Sequence, residues 1–229
     1  MKSIPAIIIL MLIASACSST GDAEVVQAAG PSEALIVEAE IATPTTYLTA
    51  PGSKVWFVID EMFRGNPKTV VGVNSKVAAE VVADFDDPSS VVMGPVIIKA
   101  AYFDTEPGEE PSPLGEEVGW RDTAINRFIL NSNDYPTITF TPSEIIDLTG
   151  IGEGGTTEVR GDLTVRDITR PVSFSVTFDV VSTEQIRVSG SSEVRRQDFD
   201  LKIPNVAHVA DVADDLRLEF DLVFEPAGS

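Results

Sequence analysis

From about residue 47 the chain repeats one pattern: a short run of alternating apolar and polar side chains, then a cluster of turn-forming residues. Candidate strands cover 55–59, 68–74, 77–85 and 92–103, with boundaries carried by Arg64-Gly65-Asn66-Pro67, Asp86-Asp87-Pro88 and Gly94-Pro95. The second half alternates more cleanly. Thr137-Ile138-Thr139-Phe140 reads as a strand, and in 159–165 Val159, Leu163 and Val165 share a face opposite Arg160, Asp162 and Thr164. Pro171 opens a run with Val172, Phe174, Val176, Phe178 and Val180 on one side and Ser173, Ser175, Thr177 and Asp179 on the other. The last run sets Leu216, Leu218, Phe220, Leu222 and Phe224 against Arg217, Glu219 and Asp221. Eight or nine strands with one apolar face each, and little helix to cover them, favour closure on themselves. The expectation is all-β: a single antiparallel barrel of about eight strands with an apolar interior.

Two stretches break the pattern. Residues 106–115 hold three prolines, two glycines and three acids, which predicts an exposed loop. Residues 121–131 place Ile125, Phe128 and Ile129 at helical spacing, with Asp122 expected to support the first turn, which predicts one short helix. Gly150-Ile151-Gly152-Glu153-Gly154-Gly155 lacks the Lys-Ser/Thr of a phosphate loop and carries an acid where phosphate would be repelled, so it is expected to be a hairpin turn.

The N-terminus has a different character. Lys2, the apolar stretch from Ile4 to Ile13 and the small residues Ala14-Ser15-Ala16 form an export signal, and the only cysteine, Cys17, follows at once. Ile13-Ala14-Ser15-Ala16-Cys17 resembles the box at which bacterial lipoproteins are acylated and cut, although Ala14 stands where Leu is commoner. Ordinary cleavage near Ala16 is the alternative. The expected organisation is a signal over 1–16, acylated Cys17 and a tether over 17–45 rich in Ala, Ser, Gly, Pro and Glu, and a barrel over 46–227. Export to the cell envelope, with the domain held at a membrane on its aqueous side, follows from that reading.

Charge and composition narrow the function. Sixteen basic side chains against 36 acidic ones give a formal charge of −20, which would repel nucleic acid and anionic lipid surfaces alike. Membrane attachment therefore falls to acyl chains, each buried CH₂ contributing about 0.8 kcal/mol. One cysteine and one histidine leave no disulfide framework and no Cys- or His-rich metal centre, and no cofactor is expected. The carboxylates show no glycosidase or protease setting. His208, in Pro204-Asn205-Val206-Ala207-His208-Val209, has no nucleophile signature beside it and is expected to be structural or solvent-facing. No catalytic residue is assigned.

Arg121-Asp122, Tyr135-Pro136-Thr137-Ile138-Thr139-Phe140, the segment Arg160-Gly161-Asp162-Leu163-Thr164-Val165-Arg166-Asp167-Ile168-Thr169-Arg170-Pro171-Val172, and Arg196-Gln197-Asp198-Phe199 resemble, in order and spacing, the YceI-like family. The resemblance runs from about Tyr47 to Pro226. It implies a lipocalin-like barrel whose interior holds a polyisoprenoid or similar amphiphilic lipid. Many members carry a histidine before the Ser of the first core strand and another after the Arg-Asp; Gly52 and Ala124 stand there in this chain. The acidic segment 106–119 resembles an insertion.

Val55, Phe57, Ile98, Tyr102, Phe140, Phe174, Val176, Phe178, Leu218 and Phe220 are the candidate ligand-binding wall. Strand periodicity does not separate a hollow barrel from one filled by these side chains, because eight strands suit either. A filled barrel acting as a structural or interaction protein of the envelope is the competing reading, and homodimerisation stays open. Trp56, of opposite parity to Phe57, reads as a packing residue, with a place outside the barrel under the helix or tether as one position for it; Trp120, at the end of the acidic segment, reads either as a mouth residue or as packing. Arg121 and Asp122 read either as helix capping with a local ion pair or as polar groups at the lip.

Overall fold

The computed structural model describes residues 44–84, 87, 90–105, 116–146 and 155–228. The expected signal, Cys17, nearly all of the tether, the proline-rich stretch 106–115 and the glycine-rich turn up to Gly154 lie outside those residues.

Alternation produces strands as expected. In β9 (Thr156–Val165) every second residue from Thr157 to Val165 is buried. In β10 (Ile168–Ser182) the buried side chains are Phe174, Val176 and Phe178. The remaining strands are β1 (Thr45–Thr49), β2 (Lys54–Phe63), β3 (Asn66–Asn74), β4 (Val77–Ala78), β5 (Glu80–Ala83), β6 (Val92–Met93), β7 (Val96–Lys99), β8 (Thr137–Ile145), β11 (Gln185–Arg195), β12 (Val209–Ala210) and β13 (Asp215–Pro226). All thirteen belong to one antiparallel sheet, and eight of them are five residues or longer. Arg64 and Gly65 join β2 to β3 with φ of 51° and 78°, the left-handed pair that a two-residue hairpin needs.

The sheet curls into a lipocalin-like barrel. One edge of β13 pairs with β11 from Asp215 to Phe224; its other edge pairs with β2 over Arg217–Asp221 and with β1 over Phe224–Pro226. Residues 77–83 then close the circuit, since Val77 and Ala78 pair with β7 while Glu80–Ala83 pair with β1. From β7 the path runs through β8, β9, β10 and β11 back to β13. β3 lies off this circuit, paired with β2 and, through Val73, bridged to Asp104. Tyr47, Val188 and Phe224, each 2% exposed or less, fill the β1 end, where the Tyr47 hydroxyl donates to the Thr183 carbonyl at 2.9 Å.

Helix α1 spans Glu116–Thr123 and runs directly into a π-helical turn, Ala124–Ile129. The helix expected over 121–131 thus begins five residues earlier, because nothing from Glu116 to Trp120 is a proline that would forbid it. Asp122 consequently sits near the end of α1, away from its first turn. The last four residues of the acidic segment 106–119 are helical, not loop.

Candidate ligand cavity

Inward side chains do not fill the barrel. They surround an apolar cavity of about 220 Å³. Val55 and Phe57 on β2, Ile98 on β7, Phe140 on β8, Phe174 and Val176 on β10, and Leu218 and Phe220 on β13 all line it. The rings interlock: Phe174 meets Phe140 edge-on at 4.9 Å and Phe220 at 5.6 Å between centroids.

Two of the ten expected wall residues are not on the wall. Tyr102 lies in a three-residue 3₁₀ turn, Ala100–Tyr102, and is 56% exposed, because the strand expected over 92–103 ends at Lys99 and its alternation stops there. Phe178 is buried at 2% but pairs in register with Val188, toward the filled end and beyond the cavity.

Glycines explain how bulky rings leave space between them. A Cβ on Gly72 would stand 2.2 Å from the Phe57 ring, one on Gly161 2.8 Å from Phe140, and one on Gly190 2.6 Å from Phe220. Each ring therefore leans across a neighbouring strand into the place of a missing side chain.

The opposite end of the cavity is roofed by the helical segment, through Arg121, Ala124, Ile125, Ile129 and Leu130. Polar contacts latch this roof to the barrel. Arg121 Nη2 donates to Glu61 Oε1 of β2 at 2.9 Å, with side chains 12% and 7% exposed. Thr105 donates to Asp122 Oδ1 from its amide (3.0 Å) and its hydroxyl (2.7 Å). Asn126, itself buried, exchanges two hydrogen bonds with the Phe103 backbone, at 3.2 and 2.8 Å. Burial pushes the Asp122 carboxyl above the ordinary aspartate range, and the Thr105 bonds only partly oppose this. Asp122 sits past the first turn of α1, where it does not cap the helix; both residues make long-range ties, and Arg121 also reaches the cavity.

A second stretch of wall, Phe199, Leu201, Ile203, Val206, Val209 and Val212, comes from the irregular connection after β11. Arg196 holds that connection in place by donating to the carbonyls of Leu201 (2.6 Å) and Ala213 (3.3 Å). Sequence periodicity missed it, since its apolar residues recur at irregular intervals in a loop. His208 is exposed, with φ of 66°, and offers its carbonyl to the Arg64 amide at 2.8 Å. Trp56 lies on the outer face, opposite Glu219 in register; its indole N–H donates to that carboxylate, and the Lys54 ammonium stands over its ring.

A family model described as the YceI-like domain matches residues 47–224. The chain belongs to the YceI-like family. Solved structures agree at the level of fold. BcnA of Burkholderia cenocepacia aligns at 23% identity over 75% of this chain and 95% of its own, with a TM-score of 0.55. A polyisoprenoid binding domain from Saccharophagus degradans, implicated in plant cell wall breakdown, aligns at 15% identity over 80% and 99%, with a TM-score of 0.58. A YceI protein of Campylobacter jejuni aligns at 20% identity over 69% and 85%, with a TM-score of 0.51. No curated protein matches.

This YceI-like chain differs at two positions where histidine is expected. Gly52 adopts φ of 101°, a left-handed turn in which a side chain would be strained. Ala124 is 7% exposed, and its methyl group faces the cavity from the roof.

Proposed function

We propose that this protein is an exported, membrane-anchored lipid carrier that holds a polyisoprenoid or similar amphiphilic lipid, prenyl chain inward, for sequestration or transport. The observation that carries the reading is the 220 Å³ cavity walled by phenylalanine and branched aliphatic side chains. An apolar cavity of about 150 Å³ already stays dry and takes a small hydrocarbon. The volume lies below the roughly 300 Å³ at which pockets for compact drug-sized ligands begin. A slender chain suits it, with the headgroup left at the Arg121–Glu61 end. Burial of about five CH₂ equivalents contributes roughly 4 kcal/mol before any headgroup contact. Description of the Saccharophagus relative as a polyisoprenoid binding domain supports the same class of ligand. Cys17 supplies the anchor, and the acidic surface keeps the domain off anionic headgroups.

Displacement of an environment-sensitive apolar fluorophore tests the cavity. Farnesol or a longer prenol is expected to displace it stoichiometrically, and failure of every prenol to do so contradicts the reading. Fractionation tests the anchor separately: Cys17→Ser should move the protein out of the membrane fraction, and retention there contradicts acylation at Cys17.

A further inference from the structure

The helical segment that roofs the cavity has a second face. Its inner side gives Ala124, Ile125, Ile129 and Leu130 to the cavity, while Trp120 and Phe128 are 65% and 64% exposed. Tyr102, 56% exposed, belongs to the turn beside the same segment, whose next residue Phe103 is bonded to Asn126. Among the described residues these are the only aromatic side chains so open to solvent, and all three stand at the roof. Arg127 is exposed on the same face, while Arg121 turns inward to Glu61.

We propose that this aromatic outer face is a docking surface for a lipid bilayer, and that it sets the cavity roof against the membrane from which the ligand is drawn. Tryptophan and tyrosine rings favour the interface between water and hydrocarbon, where an apolar body and a polar edge are both accommodated. Twenty-six residues separate Cys17 from Pro44, a reach of at most roughly 90 Å, so an acylated Cys17 leaves the roof free to touch the bilayer that holds it. The purpose of the docking rests on the lipid-carrier reading; the docking itself does not.

The chain expressed from residue 17 with Cys17→Ser, which removes any acyl anchor, provides the test. Trp56 and Trp120 are the only tryptophans, so Trp56→Phe leaves Trp120 as sole reporter. With phosphatidylcholine vesicles brominated on their acyl chains, the Trp120 emission should shift to the blue and be quenched. The double change Trp120→Ser and Phe128→Ser, with circular dichroism unchanged, should lower co-sedimentation with vesicles by at least about tenfold. Unquenched Trp120 and no co-sedimentation overturn the proposal. So does self-association that buries Trp120 without vesicles and is lost on Trp120→Ser, because the face would then be covered by a second copy. Solvent extraction of the same preparation keeps the two readings apart: docking without extractable lipid or prenol uptake retains this surface and sinks the carrier, and bound lipid without docking does the reverse.

Discussion

The ring of Phe57 occupies the place where a side chain on Gly72 would be. The two residues face each other in register on β2 and β3, and a Cβ on Gly72 would lie 2.2 Å from Cε1 and 2.4 Å from Cζ of that ring. Nothing else comes so close. Gly72→Ala must therefore push Phe57 toward the cavity, at a cost of about 1–3 kcal/mol. Phe57→Leu in the same chain should recover most of that loss, giving a coupling in a double-mutant cycle that urea midpoints read directly. Additive effects would show that the ring is not held by this glycine.

Phe174 stands between Phe140 and Phe220 and is 6% exposed. Phe174→Ala should cost about 3–5 kcal/mol. Phe174→Asp and Phe220→Asp should abolish prenol uptake by placing a charge against the chain. Phe174→Leu, which keeps most of the volume, should fold and bind, and Tyr102→Ala should leave uptake unchanged. Uptake by a folded Phe174→Asp protein would remove this residue from the wall.

The Arg121–Glu61 pair joins the roof to β2 with both side chains largely out of water. Arg121→Met strands the Glu61 carboxylate and should destabilise the protein by about 3–5 kcal/mol, with faster amide exchange through 120–130. Adding Glu61→Met should restore much of the stability. If the single and double variants behave alike, the pair does not hold the roof.

Acid and base act oppositely on two aspartates. Burial raises the Asp122 pKa, so its share of stability is complete below the ordinary aspartate value of about 4 and is lost as pH rises through the raised value. Asp122→Asn keeps an oxygen acceptor for Thr105 and should gain stability relative to wild type between about pH 4 and 7. Asp221 is lowered, first by its hydrogen bond to Arg187 at 2.7 Å, so its share is complete above about pH 4 and is lost as pH falls through the lowered value. Asp221→Asn should be the less stable protein at neutrality, with the difference closing in acid. Urea midpoints measured at several pH values read both signs.

Strands with unbroken alternation were legible: Val172 to Val180 and Leu216 to Phe224 face as their parity requires. Strand β11 was not, because its inward positions include Gly190, where the Phe220 ring takes the place of a side chain, and Ser192, and these small residues erase the apolar signal. The same trade hid the cavity. Periodicity reports which side chains point inward, not whether they meet, and it was the glycines that kept them apart. The roof escaped for another reason: its π-helical turn, Ala124–Ile129, shifts the helical period, and its ties to Glu61 and Thr105 span sequence distances that no local pattern reveals.

Mass spectrometry of the solvent extract from natively purified protein tests the central claim most directly. The carrier reading predicts about one prenyl-type lipid per barrel, reduced by Phe220→Asp in a folded protein. An extract without stoichiometric lipid, from a protein that also takes up no added prenol, would contradict it and leave a barrel that serves only as a structural or interaction module.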